Sequence, residues 1–255
     1  MTKNVATTLD DGVLIVSMQR PEKKNALTSK MYSAMADAIV RAERDRSIKV
    51  VLFTGSEDSF TAGNDLGDFL ANPPHQSDRP VDRFIGNMTT TDVPLMAAVN
   101  GLAVGIGTTM LLHFDQVLAS HNARFSLPFI NLAVVPEAGS SAQLVNLCGY
   151  QKAAELLMLG EPFSAGQALE YGIVSRLCNP QDLMDEAMAM ARKLASKPGD
   201  ALRATKRLMR RPSEALLQRV QAEGELFAEC LASPAAKEAM TAFMEKRPPD
   251  FRQFD

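Results

Sequence analysis

Leu95-Met96-Ala97-Ala98-Val99-Asn100-Gly101-Leu102-Ala103-Val104-Gly105-Ile106-Gly107-Thr108-Thr109 is the stretch on which the fold turns. Five apolar residues run into Asn-Gly, a strong turn signal, and apolar residues resume at Met110-Leu111-Leu112. A buried strand therefore gives way to a tight turn and an apolar helix. The free N–H groups at that helix start are expected to point outward. Working outward, Val13-Leu14-Ile15-Val16 before Arg20-Pro21, and Val50-Val51-Leu52-Phe53 before Thr54-Gly55, read as further buried strands. Between them, Thr28 is placed to cap a helix with Met31, Met35, Ala38, Ile39 and Ala42 on one face. Val117-Leu118-Ala119 and Arg124-Phe125-Ser126-Leu127 suggest two more short strands. Strand, turn, helix and strand in repetition indicate an α/β layer architecture.

Beyond about residue 140 the pattern becomes mainly helical. Ser164 and Gln167 have capping-box spacing, and Gly172 fits a stop after Tyr171. Leu183, Ala187, Met190, Ala191 and Leu194 form an amphipathic stripe, and Ser213 is expected to open a helix through about Leu231. Residues 67–90 break the regularity. Leu70-Ala71-Asn72-Pro73-Pro74-His75-Gln76-Ser77-Asp78-Arg79-Pro80 is polar and proline-rich, and reads as a long irregular segment, a lid or a mobile loop.

Composition narrows the function. At 255 residues the chain is shorter than two domains of about 150 residues each. Lys and Arg number 27 against 30 Asp and Glu, so there is no basic excess to attract a nucleic acid. Cys148, Cys178 and Cys230 are odd in number and widely spaced, which argues against a disulfide framework or zinc module. No apolar run approaches 18 residues, and the first residues lack a signal-peptide core, so a cytoplasmic protein away from the membrane is expected. The chain has no G-x-S-x-G elbow, phosphate-binding loop or H-E-x-x-H pair. His75, His113 and His121 lack metal-ligand spacing and read as ordinary core or surface histidines. Gly105-Ile106-Gly107 is too short a match for a dinucleotide site. Hydride transfer, electron transfer and serine hydrolysis are set aside.

Three segments remain. Phe60-Thr61-Ala62-Gly63-Asn64-Asp65-Leu66 follows a strand with small residues where backbone can approach a ligand. Asn100 through Thr109 joins a strand to a helix start. Val135-Pro136-Glu137-Ala138-Gly139-Ser140-Ser141 sets one carboxylate among apolar and small residues. Read alone, these are equally three tight turns with an incidental acid. Together with Arg20-Pro21-Glu22-Lys23-Lys24-Asn25-Ala26-Leu27, the set resembles the crotonase (enoyl-CoA hydratase/isomerase) superfamily over nearly the whole chain.

The resemblance implies a superhelix of repeated ββα units, here residues 1–195. A C-terminal helical region, 196–255, would serve trimerisation and as a lid. It also implies acyl-CoA thioester substrates and enolate intermediates. The thioester oxygen would be held by two backbone N–H groups, which match Asn64 and Ile106. A β-branched residue at Ile106 requires a negative φ there. Hydratases of the family use two glutamates, and this chain has Thr109 and Phe129 at those positions, so hydration by that route is expected to be disabled.

Glu137 matches instead the single carboxylate of Δ3,Δ2-enoyl-CoA isomerases. These share Pro136-Glu137-Ala138-Gly139-Ser140-Ser141, Ala62-Gly63-Asn64-Asp65-Leu66 and Ala103-Val104-Gly105-Ile106. One acid suffices to relocate a proton, and apolar surroundings would raise its pKa to suit both halves of the transfer. The resemblance further assigns substrate contacts to Lys24, Ala26, Leu27, Ala62, Gly63, Asp65, Leu66 and Phe129, with Lys23 and Lys24 near phosphates. Lys206 and Phe243 would complete a neighbour's pocket in a homotrimer or dimer of trimers. No metal or separate cofactor is implied, since CoA belongs to the substrate. The remaining alternatives are another crotonase reaction, such as hydration with Glu137 as sole carboxylate, and a non-catalytic acyl-CoA binder.

Overall fold

The computed structural model describes residues 3–71, 79–210 and 214–250. An antiparallel hairpin of β1 (Val5–Asp10) and β2 (Val13–Met18) leads into α1 (Ser29–Arg44), whose N-terminus is capped by the Thr28 side chain. Met31, Met35, Ala38, Ile39 and Ala42 all face the core, as their spacing predicts. β3 (Val50–Gly55) and β4 (Ser59–Thr61) are followed by α2 (Leu66–Ala71) and α3 (Pro80–Thr90). β5 (Leu95–Val99) and β6 (Leu102–Val104) lead into α4 (Ile106–Thr109). β7 (Gln116–Ser120) and β8 (Arg124–Ser126) precede α5 (Ser140–Cys148) and α6 (Tyr150–Leu159).

The ββα repeat is a staircase. The β1–β2 hairpin and the first strand of each later turn join one sheet, in which β2, β3, β5 and β7 run parallel. The second joins another, in which β4, β6 and β8 run parallel. The first sheet's inner strands β3 and β5 are buried on both faces, which explains why they read as unbroken apolar runs. Val51, Phe53, Leu95 and Ala97 point into the main core, whereas Val50, Leu52, Met96 and Ala98 point the other way.

The remaining elements complete these layers. β9 (Phe163–Ser164) closes the second sheet, and α7 (Ala165–Glu170) starts at the expected Ser164–Gln167 capping box. β10 (Arg176–Cys178) ends the first sheet. α8 (Leu183–Ala195) covers the outer face with Leu183, Ala187, Met188 and Ala191. α9 (Gly199–Arg210), α10 (Glu214–Leu231) and α11 (Pro234–Met244) form the helical end, with Phe227, Leu231, Ala236 and Met240 in the main core. Ser213, the expected start of α10, lies outside the described residues.

Two expectations are corrected. Residues 67–90 are not one irregular segment, because α2 and α3 occupy most of them. Residues 72–78, with His75, lie outside the described residues. Pro80 sits in the first turn of α3, where its missing N–H costs nothing, and Phe84, Ile85 and Met88 make a buried helical stripe. Lys206 does not reach toward a neighbour. It is buried, with Nζ 2.6 Å from the Val93 carbonyl and 2.7 Å from an Asp115 carboxylate oxygen. Phe243 is exposed.

Candidate active site

The Arg20–Leu27 stretch is knitted to the segment after β4. Ala62 N–H donates to the Lys24 carbonyl, Leu27 N–H to the Gly63 carbonyl and Asp65 N–H to the Leu27 carbonyl, at 2.8 to 2.9 Å. Asn25 is fully buried; its side-chain amide donates to the Ser59 carbonyl at 2.7 Å, and its own carbonyl accepts from Thr61 Oγ1 at 2.7 Å. Arg20 donates to Asp65 at 2.6 Å and to the Ala26 carbonyl at 3.0 Å. These bonds fix the backbone around Asn64. They also hold together most of the residues expected to meet substrate: Lys24 is exposed, Ala26, Ala62, Asp65 and Leu66 are half-buried, and Leu27 and Gly63 are buried.

The two glycine turns touch. Gly63 has φ 87°, and a Cβ there would lie 2.8 Å from the Val104 carbonyl oxygen; one on Gly107 would lie 2.6 Å from Thr61 Cγ2. Only glycine lets the Asn64 and Ile106 backbones approach in this way. Gly105, at φ 55° and ψ −117°, takes a positive-φ conformation that favours glycine, and Ile106 begins α4. Among the described residues, neither the Asn64 N–H nor the Ile106 N–H has a hydrogen-bond acceptor.

A cavity of about 650 Å³ opens beside this crossing, with Asn64, Phe69, Ile85, Glu137, Ala138 and Phe227 in its wall. Phe129 is buried in the main core and is not on this wall. Glu137 is 8 % exposed and accepts from Thr109 Oγ1 at 2.5 Å. Burial pushes its pKa up to about 7. The Thr109 bond opposes the rise, and the charges of Glu223 and Asp82 add to it.

The turn after Glu137 is pinned from two sides. Ala138 has φ 57° and Gly139 φ 70°, so two successive residues are left-handed and one of them is not glycine. His113, buried one helical turn beyond Thr109, sets Nε2 2.6 Å from the Ala138 carbonyl. A carbonyl only accepts, so this nitrogen carries the proton. Glu223 of α10 accepts from Gly139 N–H at 2.5 Å, from Ser141 N–H at 3.2 Å and from Ser141 Oγ. It thereby caps α5. Tyr32, buried on α1, donates its hydroxyl to Asn64 Oδ1 at 2.5 Å, and its pKa is raised well above the ordinary value by burial and the charges of Glu137 and Asp68.

Sequence reasoning missed Tyr32, His113 and Glu223. The spacing of Thr109 and His113, four residues apart on one helical path, was the available signal for the second. Glu223 lies 84 and 82 residues from Gly139 and Ser141 and offered none. Among the described residues no group of three or more His, Cys, Asp or Glu is arranged to hold a metal ion. No helix among them is long and apolar enough to cross a membrane.

This fold and this site define a class. Residues 8–254 match the model of the enoyl-CoA hydratase/isomerase family. The chain is 35 % identical over 246 residues to the 2,3-dehydroadipyl-CoA hydratase of Escherichia coli, covering 94 % of this chain and 95 % of that one. It is 34 % identical to human enoyl-CoA delta isomerase 2, covering 87 % of this chain and 58 % of that one. The crystal structure of an enoyl-CoA hydratase/isomerase from Pseudoalteromonas atlantica superposes with a TM-score of 0.93 at 40 % identity, over 98 % of this chain and all of that one. The chain belongs to the enoyl-CoA hydratase/isomerase family, the crotonase superfamily of acyl-CoA enzymes.

Proposed function

We propose that this enzyme shifts the double bond of a 3-enoyl-CoA to the 2-position, with Glu137 as a single proton carrier. The observation that carries the reading is Glu137 itself: a buried carboxylate on the cavity wall whose pKa of about 7 lets it both accept and return a proton near neutrality. Glu137 takes a proton from C2 and the electrons spread through the thioester as a dienolate. The same group then delivers the proton at C4. The Asn64 and Ile106 N–H groups meet the oxygen on which charge develops, and the start of α4 adds its dipole. Removing one such donor would cost about 3–4 kcal/mol of barrier.

Hydration is the second reading, favoured by the E. coli relative named a hydratase. Against it stands Thr109, which matches by resemblance the first hydratase glutamate and offers a hydroxyl bonded to Glu137 where a second carboxylate would be needed. Asp82 shares the cavity but is held in a fork by Arg79 at 2.8 and 2.9 Å. Incubation with 3-enoyl-CoA and 2-enoyl-CoA, followed by absorbance of the conjugated thioester, tests the assignment. Isomerisation that is lost in Glu137→Gln, with acyl-CoA binding retained, supports it. Robust hydration of crotonyl-CoA overturns it in favour of a hydratase, and binding without conversion in favour of a non-catalytic binder.

The same reading carries further parts. Exposed Lys23 and Lys24 meet the CoA phosphates, and CoA enters as part of the substrate with no other cofactor. Residues 1–195 act as the catalytic core, with 196–255 as a lid and assembly region. Assembly as a homotrimer or dimer of trimers is supported by exposed Ile130, Val145, Tyr150 and Met158, which share an apolar hollow that water disfavours. Light scattering behind gel filtration tests it. A cytoplasmic setting is in keeping with three unpaired cysteines.

A further inference from the structure

Two glycines interrupt the helices that line the cavity. Gly86 lies inside α3, where Asp82, Ile85 and Thr89 also face the cavity. Gly224 lies inside α10, flanked on the same face by Val220, Phe227 and Ala228. Each glycine is thus central to its helix's share of the wall. A glycine inside a helix is unfavourable relative to alanine, and neither position here needs a left-handed backbone. Nor does crowding demand one. A Cβ built on Gly86 or on Gly224 meets none of the described residues within 4 Å, in contrast to Gly63 and Gly107, where neighbouring backbone or side chain would be struck. The space in front of both is open, and it belongs to the cavity that Glu137 lines.

The surroundings identify what fills that space. Phe69 and Phe227 meet edge to face, ring centres 5.9 Å apart, and Val81, Ile85, Val220 and Ala228 add aliphatic surface. A cavity of about 650 Å³ lies in the range that encloses ligands much larger than a four-carbon acyl group. Resting on the reading of this cavity as the acyl-thioester site, we propose that Gly86 and Gly224 select for substrates with a medium or long unbranched acyl tail, which passes between α3 and α10. Side chains at these two positions would block it. The carbons nearest the thioester remain beside Glu137, so the selection acts on chain length and not on the proton transfer.

Binding of saturated thioesters tests this without turnover. The unmodified protein is titrated calorimetrically with hexanoyl-CoA and dodecanoyl-CoA, alongside Gly86→Leu and Gly224→Leu. Burial of the extra methylenes should make dodecanoyl-CoA the tighter ligand by at least about tenfold, and each leucine should bring the ratio within about threefold. A ratio near one in the unmodified protein, or a preference that survives both leucines, overturns the proposal. If a leucine variant does not fold, Gly86→Ala with Gly224→Ala replaces it. A methyl group enters open space there, so the double variant should melt at a higher temperature while its chain-length ratio falls by at least about threefold; an unchanged ratio overturns the proposal. A chain-length preference in a protein that isomerises nothing would refute the proposed reaction and leave this inference standing, and the converse result would do the reverse.

Discussion

Thr109 Oγ1 donates to Glu137 Oε1 at 2.5 Å, and both residues are buried. The bond stabilises the charged carboxylate and so holds the Glu137 pKa below the value that burial alone would impose. In Thr109→Val the pKa should rise further above about 7. Less Glu137 would then be ionised at neutral pH, so the acidic limb of the kcat/KM profile should move to higher pH. At pH 7 kcat/KM should fall by about three- to tenfold, with much of the loss recovered at pH 9. A profile that falls uniformly at all pH values would show that Thr109 acts on position and not on ionisation.

Glu137 also imposes a pH dependence on stability. Its folded pKa of about 7 lies above the ordinary 4.5, so the folded state binds the proton more tightly than the unfolded chain does. Its contribution is therefore fully present below about pH 4.5 and is lost as pH rises through about 7. The shift corresponds to about 3 kcal/mol. Glu137→Gln, neutral at every pH and still able to accept from Thr109, should match the unmodified protein near pH 4.5. It should be more stable by up to about 3 kcal/mol at pH 8. Urea unfolding at the two pH values checks this.

What the sequence reveals here follows from which forces are local. Val50–Phe53 and Leu95–Val99 are legible as strands because a parallel sheet buried on both faces demands unbroken apolar runs. The Ser164–Gln167 box is legible because both partners lie within four residues. β1 escapes notice because only Val5 of its six residues is buried. α3 escapes because Pro80 reads as a breaker when it is a first-turn residue. α9 escapes because it buries Arg203 and Lys206 through ion pairs, which leave no apolar stripe. Glu137, Asn64 and Ile106 stand out through family resemblance, but Tyr32 and Glu223 come from other layers of the fold, and no local pattern marks them.

Lys206 offers a stability test. Its ammonium satisfies the Asp115 carboxylate and the Val93 carbonyl, and Asp115 in turn accepts from Leu95 N–H at 2.7 Å, so α9 is tied to the start of β5. Lys206→Met leaves Asp115 with its charge unpaired in a largely buried setting, which should cost about 3 kcal/mol. Chemical denaturation measures the loss. Activity per folded molecule should hold, since the side chain faces the core and not the Glu137 cavity. A selective rise in KM with stability unchanged would return Lys206 to a role in substrate binding.

Glu223 combines two effects that separate variants can resolve. Its carboxylate caps α5 by accepting from the Gly139 and Ser141 amides, and its charge raises the pKa of Glu137, alongside that of Asp82. Glu223→Ala removes the cap. A lost cap costs about 0.5–2 kcal/mol, and the left-handed pair Ala138-Gly139 would be freed to relax, so kcat should fall more than KM changes. Glu223→Gln removes the charge and keeps one acceptor oxygen, so it retains part of the cap, with its NH2 opposing the other N–H, and adds the electrostatic change that Ala shares. The Glu137 pKa should drop below about 7, and the acidic limb of the kcat/KM profile should move to lower pH, opposite to the shift in Thr109→Val. If Gln behaves as Ala does, with kcat lost at every pH and no displacement of the limb, Glu223 acts through geometry alone and its charge is already neutralised by its surroundings.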